Sequence, residues 1–199
     1  MILVFAVAVG LAAGFIRARL KVEPYHPVEL KHLWLVLVAA LPQVLAFFLP
    51  ATRERVPDQW IPYLLISTQA ILLVFVWVNR REPFIWLLGI GLLLNLIVIS
   101  LNGGWMPISP ETIRSQDVPA DRWETGARLG FSKDMIIARE DTTLWLLSDI
   151  LTLPKWIPYR VAFSIGDSII ALGIIGLLLK SESSGQKQDD DRLQENIRS

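Results

Sequence analysis

Asp167 is an acid inside an otherwise apolar stretch, residues 161–179. Counted from Val161 it should lie one and a half to two turns into a helix, about 10 Å along its axis. A carboxyl group at such depth is expensive in lipid and faces a bundle interior or water. By default it marks a functional site, and in a transporter it would be the proton or cation site. The structural alternative is an acid that caps a helix end or pairs with Arg160. Ser164 and Ser168 flank it, while Asn95 and Asn102, seven residues apart, share a face of another apolar stretch. Gln69 and Gln43 sit within two more. Such groups either line a polar route or hydrogen-bond helices to one another. Asp149 is a second acid, able to join Asp167 in acid–base chemistry only where the fold makes the two converge.

Other motifs carry less chemistry. Asn102-Gly103-Gly104 follows an apolar run, where glycines allow a left-handed helix exit and close approach of other backbone. They can present amides to a ligand or simply end the helix. Gly89-x-Gly91 lies within an apolar run and not after a strand, so it is a packing feature and no dinucleotide fingerprint. His26, Glu29 and His32 are spaced His-x-x-Glu-x-x-His, which is not the i, i+4 pair of a zinc-binding helix. With no cysteine in the chain there are no disulfides, thiolate metal sites or thiol chemistry. No metal or cofactor is expected, and no nucleophile–base arrangement or phosphate loop is evident. Zero formal net charge argues against a nucleic-acid partner.

The elements that must position these residues read as membrane spans. Of 199 residues, 53% are hydrophobic and 19% charged, and mean hydropathy is +0.46. The apolar residues stand in blocks with charges between them, a segregation typical of a bilayer protein. Five blocks, 1–16, 33–49, 60–78, 84–101 and 161–179, are each 16 to 19 residues long and close to the length that crosses a hydrocarbon core. In lipid a helix satisfies its own backbone groups. The first block has its basic residues after it (Arg17, Arg19, Lys21), which favours a retained helix over a cleaved signal peptide. Its Gly10-x-x-x-Gly14 face, with Ala6 a turn earlier, suits close helix packing or a partner helix. Trp34, Trp60, Trp77, Trp86, Trp105 and Trp156 fall near block ends, where indoles sit among headgroups. Pro62 and Pro83 lie at helix starts, and Pro42 should kink the second block. Short loops carry six basic residues on one side against two on the other, which places the N-terminus outside and the C-terminus in the cytoplasm.

Residues 102–160 then form an external loop with seven basic and eight acidic residues. Ser109-Pro110-Glu111 reads as a helix start, 119–129 as a short helix, and 144–153 as an interfacial or re-entrant helix capped by Asp141 or Thr142 and stopped by Pro154. Residues 181–199, with the acidic run 189–191, read as a disordered cytoplasmic tail. The expected fold is all-α: a membrane domain, 1–180, of five spans plus a helical external loop.

The ordered series Asn102-Gly103-Gly104, Met106-Pro107-Ile108-Ser109-Pro110, Asp141 and Thr143, Ser148-Asp149-Ile150, Pro154 and Ser164-Ile165-Gly166-Asp167 resembles an uncharacterised bacterial family of small multi-pass membrane proteins, a domain of unknown function. The resemblance covers most of the chain up to Leu179. Ser148 departs from it, standing where a glycine is expected. It implies membrane location and the five-span topology, and it implies no activity, substrate or catalytic residue; the membrane expected is a bacterial inner membrane.

The residues that deserve scrutiny as a polar site are therefore Asp167, Asn95, Asn102, Gly103, Gly104, Asp149 and Ser164. The leading functional reading is a non-catalytic accessory or scaffold protein that meets lipid and a membrane-protein partner through the loop or the Gly10/Gly14 face. A small-solute or ion transporter using Asp167 is the alternative, although no internal symmetry supports an inverted repeat. An intramembrane enzyme acting on lipid comes third.

Overall fold

The computed structural model describes residues 2–21, 28–157 and 159–180; His26 and the tail from residue 181 lie outside it. The described residues are mostly helical: α1 (Ile2–Lys21), α2 (Trp34–Gln43), α3 (Pro50–Arg53), α4 (Ile61–Val78), α5 (Ile85–Leu101), α6 (Pro110–Ser115) and α7 (Ile165–Leu179). Pro42 gives no backbone N–H, and the helix widens just after it into a π-turn, Val44–Phe48, where Leu49 N bonds Val44 O at 3.1 Å. A 3₁₀ turn, Asp58–Trp60, leads into α4. Asp58–Val78 is long and apolar enough to cross a membrane; Trp34–Phe48, Ile85–Leu101 and Ile165–Leu179 are apolar but shorter.

Five helices pack side by side in the order α2, α4, α5, α7, α1. Small residues set the closest crossings. A Cβ on Gly91 would strike the Gly166 carbonyl and Ile170, and one on Gly10 would lie 2.8 Å from Leu178 Cδ1. Gly10 of the small-residue face of α1 thus packs against α7. Between helices two apolar cores form. One, near the start of α4 and end of α5, holds Ile61, Leu65, Val98, Ile99 and Met106; the other, near the opposite ends, holds Phe75, Ile85, Leu92, Ile170 and Leu177. Gln43 Nε2 donates to Thr68 Oγ1 at 2.7 Å, tying α2 to α4.

The connection from α5 to α7 is not helical throughout, which corrects the expectation of a helical loop within a chain that is otherwise mostly helical. It contains four short strands: β1 (Met106–Ile108) pairs in parallel with β2 (Asp134–Ile136), and β3 (Leu151–Thr152) pairs antiparallel with β4 (Ala162–Phe163). Ser109 caps α6, its hydroxyl accepting Thr112 N at 3.2 Å. Within 119–129 only Ala120–Arg122 is helical, as 3₁₀, because residues 127 to 129 are drawn into bonding with β2: Ile136 N reaches Ala127 O and Leu129 N reaches Asp134 O. Segment 144–153 is likewise no helix. It makes one 3₁₀ turn, Trp145–Leu147, then extends, since Asp149 N bonds Pro107 O and Leu151–Thr152 pairs with β4. Apolar content there reflects contact with α5 and β1, not a helical period. The same pairing takes residues 162 and 163 out of the last helix, so α7 starts four residues later than the apolar block. Ile108, Ile113 and Ile136 give this connection its own small core.

Candidate functional site

The local chemistry of Ser164-Ile165-Gly166-Asp167 is that of a helix start. Ser164 is the N-cap of α7; its Oγ accepts Asp167 N at 2.9 Å, and Asp167 Oδ2 accepts Ser164 N at 3.5 Å. This is a reciprocal capping box. Asp167 therefore sits in the first turn, not one and a half to two turns deep, and its negative charge meets the positive end of the helix dipole. Arg160 is not its partner; that guanidinium lies 3.4 Å from Asp117. Instead Asn95, buried on α5, bridges the crossing: its Nδ2 donates to Asp167 Oδ1 and its Oδ1 accepts Ser164 Oγ, both at 2.8 Å. Gly166 is required beneath it, since a Cβ there would occupy the space of the Asn95 side chain.

Asn102, on the same face of α5, does a different task. It closes α5, and with Gly103 and Gly104 (φ +71 and +85) lets Gly104 N reach back to Ile99 O at 2.8 Å, a Schellman-type exit. Its side chain donates to Thr143 O at 2.9 Å and accepts Thr143 N at 3.0 Å, clasping a backbone 41 residues away. Gly104 packs directly on Pro62. The glycines thus serve the helix end and a close contact.

Straight after that exit, β1 acts as the axle of the site. Met106 and Ile108 are buried, Met106 N bonds Lys133 O, and Pro107 O accepts Asp149 N at 3.0 Å. One side of β1 therefore carries Lys133-Asp134 and the other Asp149. Ser148, beside it, is fully buried with φ −75, so the position has no need of glycine; its hydroxyl donates to Trp145 O at 2.6 Å.

Lys133 completes the arrangement. Its Nζ lies 2.9 Å from Asp149 Oδ2 and 3.8 Å from both Asp167 Oδ2 and Asp134 Oδ1. The two acids of interest in the sequence, Asp149 and Asp167, are thus brought to one ammonium. Burial alone would pull Lys133 down, but the carboxylates of Asp149, Asp167 and Asp134 outweigh it and hold the ammonium above the ordinary lysine range. Burial pushes Asp149 well above the usual carboxylate range; Lys133 opposes that, and Asp134 and Asp167 add to it. Asp149 Oδ1 and Asp134 Oδ1 are buried and have no hydrogen-bond partner among the described residues.

Gln69 is not part of this network; its Oε1 is buried on α4 with no hydrogen-bond partner among the described residues. Sequence reasoning missed Lys133, Asp134 and also Arg128. Arg128 Nη1 is 2.7 Å from Asp58 Oδ1, its Nε donates to Ser132 O, and its guanidinium lies over Phe47 and Trp105. These are single charges among fifteen in the connection, with no spacing signal to separate them. Among the described residues no group of three or more His, Asp or Glu is placed to hold a metal ion, and the three carboxylates here surround an ammonium. What the arrangement can do is fasten segments 133–134 and 149 to the start of α7 and hold charge away from solvent.

The chain resembles an uncharacterised protein of Thermotoga maritima, 28% identical over 131 residues that make up 64% of this chain and 68% of that one. No solved structure matches it. Residues 27–179 match a family of unknown function, DUF5317, and so take in α2 through α7 with every residue of the site. The protein belongs to that family.

Proposed function

We propose that this is a multi-pass membrane protein with a non-catalytic accessory or scaffold role, whose 102–160 connection caps one end of the helix bundle and offers a docking face to a membrane-protein partner. The membrane part rests on large apolar side chains left bare along the helices. Leu37 is 69% exposed, Leu41 60%, Leu172 60% and Val74 54%, a belt that water would oppose and lipid tails would accept. Helices of 15 to 17 residues span only about 22–26 Å, so α5 and α7 need adjoining residues or local thinning to cover a core of about 30 Å. With five crossings and the basic-residue count, the N-terminus lies outside, the C-terminus in the cytoplasm and the cap outside the inner membrane.

The observation that carries the non-catalytic reading is Lys133 bound between Asp149 and Asp167. An ammonium so held is neither nucleophile nor base, and Asp167 is engaged by its own helix and Asn95. The partner face belongs to the cap, since Gly10 and Gly14 are buried in the bundle. Co-purification in mild detergent tests the role: a specific membrane protein should be retained, and a chain that repeatedly comes out alone would count against it. The transporter alternative is favoured by the charge cluster at the bundle end; unchanged solute flux in liposomes carrying Asp167→Asn would remove Asp167 from any such mechanism. The lipid-acting enzyme finds support in the convergence of Asp149 and Asp167, but lacks a free base beside them.

A further inference from the structure

Three carboxylates surround one ammonium, so the cluster carries excess negative charge when all are ionised. Asp149 is the least exposed of the three, with 1% of its side chain accessible. One oxygen, Oδ2, takes the Lys133 hydrogen bond; the other, Oδ1, is buried without a donor. A buried carboxylate oxygen left bare loses its hydration with nothing in return. Among the described residues the neighbours offer no second cation. Lys133 and Asp134 face Asp149 from the start of β2 and Asp167 from the first turn of α7; Asn95 and Ser164 are neutral and already bonded to Asp167 or to each other. Arg139 is engaged on the Trp145 ring, 3.6 Å from its centroid.

We propose that this cluster is a proton-binding site, with one proton held on Asp149 Oδ1 at neutral pH, and that its loss loosens the docking of the cap on the end of the helix bundle. Protonation turns a bare acceptor into a neutral O–H and lowers the excess of carboxylates over the ammonium, leaving Lys133 to face Asp134 and Asp167 alone. Release sends the proton to water past Lys133, a third of whose side chain is exposed. Three ionised carboxylates then crowd one ammonium, and the repulsion falls on the contacts that join segments 133–134 and 149 to α7. The proposal rests on the geometry of the latch and not on any partner, so failure to capture a partner leaves it standing.

Infrared spectroscopy of the full chain in lipid nanodiscs, titrated with acid and base, is the test. A protonated-carboxyl carbonyl band should be present at neutral pH and vanish on alkalinisation. It should be missing from Asp149→Asn and retained in Asp121→Asn, an exposed control. Thermal unfolding of wild type gives a reading that needs no variant. Asp149 has its folded pKa raised, so its stabilisation is complete below the ordinary aspartate value and lost as pH rises toward the folded value. The melting temperature should fall by about 3–5 °C per pH unit across that window. Asp149→Asn, neutral at every pH, should flatten that slope. Absence of the band from wild type at neutral pH, or its survival in Asp149→Asn, would overturn the proposal. So would its loss on adding sodium or calcium ions at fixed pH, which would make the cluster a cation site instead.

Discussion

At the residue scale, Lys133 bears the largest consequence. Replacing it with methionine leaves Asp167 and Asp134 without their cation and Asp149 Oδ2 without its hydrogen-bond donor, in a mostly buried setting. The expected loss is about 3 kcal/mol, the low end for a broken buried pair, because a third of the lysine side chain keeps solvent contact. Chemical unfolding in detergent would measure it, and a loss within error of zero would show that the cluster does not hold the fold. The sign of its pH dependence is also set. With the folded pKa of Lys133 raised, its contribution is complete below the ordinary lysine value and lost only as pH rises beyond it. The wild type should therefore lose an alkaline phase of unfolding when Lys133 becomes methionine. Asn102 works differently, through a two-point hold on Thr143 with no charge involved. Asn102→Ala should cost about 1–2 kcal/mol and speed hydrogen exchange at the Thr143 amide; unchanged exchange there would mean that the clasp does not form in solution.

Elements meet most closely where α5 crosses α7. Gly91 and Gly166 let the two backbones approach so that Asn95 can bond Ser164 and Asp167 together. Gly166→Ala would push on the Asn95 side chain, and the helices cannot part without losing those bonds. Destabilisation of about 1–3 kcal/mol is expected from the overpacking. Gly103→Ala makes a useful contrast, since that Cβ would meet nothing within 4 Å and only the positive φ opposes it. It should be the milder of the two changes, costing about 1 kcal/mol in backbone strain. If the order reversed in thermal melts, the helix exit and not the crossing would be the sensitive point.

For the whole molecule, the cap and the bundle form one structure joined at the cluster. Its own core of Ile108, Ile113 and Ile136 keeps the cap folded, while Lys133, Asn102 and Arg128 attach it to α5, α7 and the start of α4. Limited proteolysis should leave the wild-type 102–160 connection intact and cut it several-fold faster in Lys133→Met, as the attachment opens before the helices melt. Equal cutting of both would mean that Lys133 does not govern docking. Cysteine labelling from each side of the membrane gives the companion measurement for the proposed topology: a cysteine at Arg81 and one at Asp121 should react from opposite faces.

Composition and patterning alone determined the apolar blocks, their Pro and Trp borders, the family resemblance and the interest of Asp167, Asp149, Asn95 and Asn102. These are local signals: a run of apolar residues, a cap residue, a polar atom where few belong. Only tertiary structure decided what the polar atoms do. The apolar run 144–153 satisfies a helix by composition, yet Pro107 and β4 take its backbone bonds, so it extends. Pairing of residues 162 and 163 likewise shifts the start of α7 and moves Asp167 from the interior of a helix to its first turn. Lys133 was invisible because an ion pair between residues 133, 149 and 167 has no periodicity in the chain. It exists because β1, leaving the end of α5, sets β2 on one side and Asp149 on the other.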